Sequence, residues 1–289
     1  MIRAEASLSV IVTSYHSPGV LEKCLASLSA QTEVREIVVA DCSPKNPALE
    51  LSSKFPAVQF LHWDEPRIVP QLRWAALPNV SGAIVGGLEA RCVPASDWAK
   101  TIVQAHHSHP ECPAIGGPVA IAQPATAFDC GLYFCEYGAY APPLAQRYTS
   151  EISGANLSYK RAELQQEQDL LDAGKWETLL HLRWQQQGKK LWMSNATICF
   201  ENTMTPQTAI QQRFAYGRGY AANRFANRSP VYALVALTLP ILLTWRVTRN
   251  NFGAPLFRAL GWLLVLNTAW ALGEFTGYLF GNSKEPQIF

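Results

Sequence analysis

Residues 8–15, LSVIVTSY, form an unbroken run dominated by β-branched side chains. A run this short and this apolar is a strand covered on both faces, so the chain must supply layers above and below it. The next residues supply one. After HSPG, the apolar Val20, Leu21, Cys24, Leu25 and Leu28 recur at helical spacing, which predicts a helix to about Gln31. The alternation then repeats. EIVVA (36–40) reads as a second strand, AVQFLHW as a third, PQLRWAAL as a helix and GAIVGGL (82–88) as a fourth strand. Ser96 stands where it can cap a helix over DWAKTIVQAHHSH, and PAIGGPVAI returns as a strand. Strands alternating with helices imply βαβ units, right-handed crossovers and an α/β fold with a mostly parallel central sheet.

The pattern weakens over 123–153, where FCEYGAYAPP reads as an ordered loop or hairpin. Order returns with SGANLSYKRAELQQEQDLLDAG, the helix WETLLHLRWQQQG, strand-like KKLWMS and ATICF, and a helix over about 207–225. Two hydrophobic segments follow. VYALVALTLPILLTW (231–245) would span roughly 22 Å as a helix, short of a hydrocarbon core of about 30 Å, and contains Pro240, so it reads as an interfacial or re-entrant piece. ALGWLLVLNTAWALGEFTGYLF (259–280) is long enough to cross, although Asn267 and Glu274 interrupt it; the rival reading is a helical hairpin packed on the protein itself. These features divide the chain into a domain at 1–228 and a hydrophobic, membrane-associated helical segment at 229–289.

Charge is distributed unevenly. Between Asn202 and Gly273 there are seven arginines, no lysine and no acid. Such an excess around an apolar tail suits anionic lipid headgroups or phosphates, and no aromatic-basic module points to nucleic acid. The seven cysteines are scattered with no C-x-x-C pair, which fits reduced, buried thiols. The opening MIRAEAS carries Glu5 and leads straight into a strand, so no secretory signal is expected.

The sheet reading puts Tyr15, Asp41 and Glu89 at the carboxyl ends of the first, second and fourth strands, the edge at which open α/β sheets bind ligands. It predicts a nucleotide-sized cleft, with Tyr15 packing on a base and Asp41 accepting from base or ribose donors. No phosphate-binding G-x-x-x-x-G-K-[ST] is present, and GRGYAA (217–222) lies in a predicted helix with no strand before it, which argues against a dinucleotide fingerprint.

Five stretches in order carry a resemblance: VIVTSYHSPGVLEKCLASLSAQ, EIVVADCSP, GLEARCVPASDW, SGANLSYKRAEL and WETLLHLRWQQQGKKL. Together they resemble the family 2 glycosyltransferases of the GT-A fold over roughly 8–226. The resemblance implies a nucleotide-sugar-binding fold followed by C-terminal hydrophobic helices. It further implies an inverting transfer from a nucleotide-sugar donor, UDP-type above others, to a lipid-linked or other glycan acceptor at the cytoplasmic face of a membrane. Asp41 then matches the acid that holds uracil or ribose, with Thr13 and Tyr15 beside it. Glu177 matches the catalytic carboxylate, and QQRFAYGR brings Arg213 and Arg218 to the donor's diphosphate.

The departure lies at Glu89-Ala90-Arg91, which stands in place of the family's D-x-D acids. One carboxylate can still hold a largely hydrated Mg2+ or Mn2+. Alternatively Arg91, with Arg213, takes over part of the cation's electrostatic role at phosphate, or Arg91 merely pairs with Glu89. Glu177 opens a helix, and His181 one turn on could orient it. HHSH (106–109) reads as a solvated helix end. The competing functional class is a non-catalytic nucleotide-sugar-binding or scaffold subunit of a glycan-assembly system.

Overall fold

A computed structural model describes residues 7–224, 230–251 and 253–281. The chain divides into two compact units, one built from 1–120 and 142–201 and the other from 121–141 and 202–289. The division expected between 228 and 229 falls outside the described residues.

The first unit runs β1 (Leu8–Ser14), α1 (Pro18–Ser29), β2 (Val34–Asp41), α2 (Ala48–Leu51), β3 (Val58–His62), α3 (Val69–Ala76), β4 (Ile84–Glu89), β5 (Cys92–Pro94), α4 (Trp98–Ser108), β6 (Ala114–Gly116) and β7 (Val119–Ile121), which leads out of it. All seven residues of β1 are buried, as the continuous apolar run requires. β1 pairs in parallel with β2 and with β4, and β2 with β3. The apolar face of α1 is buried through Val20, Leu21, Cys24, Leu25 and Leu28, the residues picked out by their spacing. α4 starts at Trp98 with Asp97 rather than Ser96 at the cap.

PAIGGPVAI is two strands rather than one. β6 joins the main sheet and β7 a separate three-stranded sheet, and the break falls at Gly117, where a Cβ would lie 1.9 Å from the Ala196 carbonyl oxygen. Only glycine tolerates so close a backbone approach.

After α5 (Ala127–Tyr137) in the second unit, the first resumes with β8 (Arg147–Thr149), β9 (Asn156–Lys160), α6 (Arg161–Leu164), α7 (Gln168–Asp172), α8 (Glu177–Gln186), β10 (Leu191–Met193) and β11 (Ile198–Phe200). The main sheet has the order β3-β2-β1-β4-β9-β6-β10-β8. β9 runs antiparallel to both β4 and β6. The sheet is therefore parallel through its first four strands and mixed beyond them.

The second unit contains α5, α9 (Pro206–Arg224), α10 (Pro230–Ala236), α11 (Leu239–Asn250) and α12 (Ala254–Phe280). α5 replaces the expected loop or hairpin. Thr126 caps it, accepting from the Asp129 amide while Asp129 accepts from Thr126 in return. Its buried face, Phe128 to Tyr137, packs on α12, so its apolar residues follow a helix-to-helix contact rather than a solvent-facing period.

α9 lies against α12 at Gly217 and Gly273, where a Cβ would come 2.2 Å from Trp270 O and 2.1 Å from Phe214 O respectively. That close approach explains Gly217 of GRGYAA. α12, at 27 residues, is the described helix long and apolar enough to cross a bilayer, with 44% of its most apolar window buried. α10 and α11 meet at a 49° bend, with Pro240 in the first turn of α11, where proline is tolerated.

Candidate active site

The register of the sheet assembles the rim. Thr13 is paired with Ala40 on one side and Glu89 on the other, and Ser14 is paired with Asp41. Thr13 and Ser14, Asp41 and Glu89 therefore lie at the ends of three adjacent strands on one carboxyl edge, with Tyr15 immediately beyond β1. Thr13 Oγ1 donates to Leu88 O at 3.2 Å, tying β1 to β4 at this edge.

Asp41 is 1% exposed and well bonded. Its Oδ1 accepts from the Ser43 amide at 2.9 Å and meets His62 Nδ1 at 3.0 Å, while Oδ2 accepts from Ser43 Oγ at 2.7 Å. Ser43 Oγ also accepts the His16 amide at 2.8 Å, with His16 at a φ of 50°. Asp41 thus knits the loops after β1, β2 and β3 into one rim. A base or ribose would reach it through the remaining acceptor capacity of Oδ2. Burial raises the Tyr15 phenol above its ordinary pKa, with Cys42 contributing.

At the opening of β5, Arg91 Nη2 lies 3.4 Å from Glu89 Oε2, and its guanidinium sits 5.3 Å from the Phe200 ring centre. The two side chains are paired and largely sheltered. As a donor set for a divalent cation this fits poorly: one carboxylate is present, and an arginine lies against it. Among the described residues no group of three His, Cys, Asp or Glu side chains converges as a metal site.

Glu177 begins α8 and is 4% exposed. Its Oε1 forms an ion pair with Arg73 Nη1, and Arg73 Nη2 donates to Gly154 O at 2.8 Å. Arg73 is 1% exposed and belongs to α3. Burial pulls its guanidinium below the ordinary arginine value, while Tyr159 and the Glu89 carboxylate act in the opposite direction. Arg73 accordingly lies within electrostatic reach of both Glu89 and Glu177, which are far apart in sequence. Gly87 makes the space, since a Cβ there would be 2.8 Å from Arg73 Nε.

Sequence reasoning missed Arg73, because a lone arginine at helical spacing in PQLRWAAL looks like an exposed one. The signal was its place on the buried face beside Leu72 and Trp74.

His181 does not orient Glu177. Its Nε2 lies 2.9 Å from Tyr159 Oη, and burial beside Arg73 lowers its pKa to about 4. The HHSH stretch is also not a solvated end throughout. His106 is 4% exposed, lies 2.9 Å from Ser158 Oγ, and is lowered to about 3 by burial. His109 stacks on Trp192 at 3.6 Å between ring centres.

Arg213 and Arg218 belong to the helical unit. Arg213 stacks over Trp270, its guanidinium carbon 4.6 Å from the ring centre, and Arg218 Nε donates to Gly281 O at 2.9 Å.

Residues 9–128 match the glycosyl transferase family 2 model. No curated protein matches the chain. Among solved structures, the chain is similar to a mannosyltransferase from Pyrobaculum calidifontis determined with GDP-Man and Mn2+, at 16% identity and a TM-score of 0.53. That match covers 94% of this chain and 73% of the other, and it is a likeness of fold. The β1–β2–β4 rim falls within the matched residues. Residues 9–128 are thus a glycosyl transferase family 2 domain, and the chain's fold is of the same GT-A type as that mannosyltransferase.

Proposed function

We propose that this glycosyltransferase takes a sugar from a nucleotide-sugar donor and passes it, with inversion at the anomeric carbon, to the hydroxyl of a lipid-linked or membrane-delivered acceptor at the cytoplasmic face. The observation that carries the reading is the single carboxyl edge shared by Thr13, Asp41 and Glu89, with Tyr15 following and Glu177 held by Arg73. Thr13, Tyr15 and Asp41 take the nucleoside. Glu177 accepts the acceptor hydroxyl's proton as that oxygen bonds to the anomeric carbon and the nucleoside diphosphate departs. Arg73 fixes the carboxylate's direction by holding Oε1, leaving Oε2 for the proton.

Relatives with a full set of acids in the triplet use a divalent cation against the charge growing on the leaving diphosphate. Here Arg91 supplies positive charge at that place, held by Glu89 and Phe200. The resemblance also assigns Arg213 and Arg218 to the diphosphate; both stand on α9 of the helical unit.

Membrane attachment is supported by α12 and by the exposed apolar side chains of α10 and α11, including Val231, Leu234, Ile241 and Trp245. The Glu89–Arg91 pairing favours one rival, a subunit that binds nucleotide-sugar without turning it over. A panel of UDP-, GDP- and dTDP-sugars in a thermal-shift assay, followed by turnover with membrane extract, tests the proposal. A ligand specific to the folded state raises the transition temperature. Stabilisation by one donor with transfer supports the reading, stabilisation without transfer supports the rival, and no stabilisation by any donor overturns both.

A further inference from the structure

A second buried polar pair accompanies the Arg73–Glu177 ion pair. Tyr159 of β9 and His181 of α8 are each 1% exposed, and Tyr159 Oη lies 2.9 Å from His181 Nε2. Two tryptophans close around them, with ring centres 5.7 Å (Trp184) and 6.2 Å (Trp74) from that of Tyr159. Both indoles have partners of their own: Trp74 Nε1 donates to Lys175 O at 2.9 Å and Trp184 Nε1 to Glu167 Oε1 at 3.0 Å. The phenol and imidazole are not needed to satisfy them.

Packing alone does not account for the pair. A buried hydroxyl and imidazole must both give up water, and His181 Nδ1 ends with no hydrogen-bond partner. Phenylalanine and leucine would fill similar space without that penalty. Nor does the pair supply a charge: burial raises the Tyr159 phenol above its ordinary pKa and lowers His181 to about 4, so both are neutral at pH 7.

What the pair supplies is a dipole, and Arg73 is placed to feel it. Across β4 and β9, Val85 is paired with Tyr159 and Gly87 with Leu157. Alternate residues of a strand share a face, so Tyr159 and Leu157 lie on the same side of the sheet. Arg73 lies on that side too, since a Cβ at Gly87 would meet Leu157 Cδ1 at 2.7 Å and Arg73 Nε at 2.8 Å. Phenol and guanidinium act on one another there, each favouring the other's charged form. Arg73 is short of acceptors: Nη1 and Nη2 reach Glu177 and Gly154 O, while its buried Nε has no partner. In a low-dielectric interior the negative end of a nearby dipole stabilises such a group.

We propose that Tyr159 is a positioning residue for the transfer. Its phenol oxygen, anchored by His181, faces the Arg73 guanidinium and keeps it on Glu177 Oε1, so that Oε2 stays aimed at the acceptor hydroxyl. His181 thus acts on the base at two removes, through Tyr159 and Arg73. The inference deepens the proposed function and rests on Glu177 as its base.

The experiment measures the transfer rate at saturating donor and the donor KM of the full chain, using the UDP-, GDP- or dTDP-sugar that the panel identifies and membrane extract as acceptor, beside thermal melts. Tyr159→Phe removes one oxygen and keeps the ring between Trp74 and Trp184. It is expected to lower the rate about tenfold or more with donor KM within about threefold of the parent, the pattern of an interaction that serves the transition state. His181→Leu, which cannot bond the phenol, is expected to show the same fall. His181→Gln, whose amide offers Tyr159 a partner, is expected to recover most of the rate.

A rate for folded Tyr159→Phe within about twofold of the parent overturns the proposal, as does a rise in KM that accounts for the loss. So does His181→Gln falling as far as His181→Leu, or a lowered melting temperature with the rate intact, which would mark a packing role. Should Tyr159→Phe fail to fold, the two His181 variants carry the test. Glu177→Gln in the same assay separates the two readings. Transfer at background in Glu177→Gln but at the parental rate in Tyr159→Phe sinks this inference alone; transfer at the parental rate in Glu177→Gln sinks the proposed base and this inference with it.

Discussion

Arg73 and Glu177 lie 104 positions apart and form an ion pair with side chains only 1% and 5% exposed. Removing one partner of such a pair leaves an uncompensated charge and costs about 3–5 kcal/mol, whereas replacing both with apolar groups is often close to neutral. Arg73→Met is therefore expected to lower unfolding free energy by about 3–5 kcal/mol, and the double variant Arg73→Met/Glu177→Leu by clearly less. Denaturant melts of the four-member cycle check this; additive losses would mean that the two side chains do not interact in solution.

Arg91 is expected to matter for turnover more than for folding. It is held by Glu89 and Phe200 at the edge where the leaving diphosphate is proposed to lie. Loss of one preorganised charge-stabilising donor typically lowers kcat by about 10²–10³. Arg91→Ala should show a fall of that order with donor binding weakened less. Activity that depends on added Mg2+ or Mn2+ and is indifferent to Arg91→Ala would rule the role out.

Two buried histidines make stability sensitive to acid. Burial lowers His106 to about 3 and His181 to about 4, against an ordinary value of 6.5. As pH falls below that ordinary value, the unfolded chain takes up protons that the folded chain refuses. Stability is thus lost on acidification from about pH 6.5 toward pH 4, at up to about 1.4 kcal/mol per pH unit for each histidine. Above that window the two contribute no slope. Stability measured at pH 6.5, 5.5 and 4.5 should show the decline, with a shallower slope in His106→Gln; an unchanged slope would show that other groups govern it.

The helix contact in the second unit can be probed with two glycines of α12. A Cβ at Gly273 would lie 2.1 Å from Phe214 O, while one at Gly261 meets nothing within 4 Å. Gly273→Ala should destabilise by about 1–3 kcal/mol through overpacking. Gly261→Ala should stabilise by up to about 1 kcal/mol through helix propensity. Thermal melts of both variants check the pair of signs, and equal shifts would contradict the packing.

Much of the α/β framework was legible because β1, β2 and β4 are continuous apolar runs and α1 and α4 have one buried stripe. The rim residues followed from strand ends alone. The helix at 127–137 was not legible, since its capping box and apolar residues serve a contact with α12, about 130 positions away, and local period does not report such a partner. Arg73, His106 and His181 were misread or missed for the same reason: their burial is set by Glu177, Ser158 and Tyr159, none of them a sequence neighbour. The triplet Glu89-Ala90-Arg91 was readable as a departure, but its pairing geometry depends on the approach of Phe200 from β11.

The central claim is that Glu177 is the base of a sugar transfer, held in place by Arg73. Its most direct test is Glu177→Gln assayed for donor binding and for single-turnover transfer, using whichever nucleotide-sugar the panel identifies. The account predicts donor affinity within a few-fold of the parent protein and transfer reduced to background. Transfer at the parental rate by the folded Gln variant would contradict it.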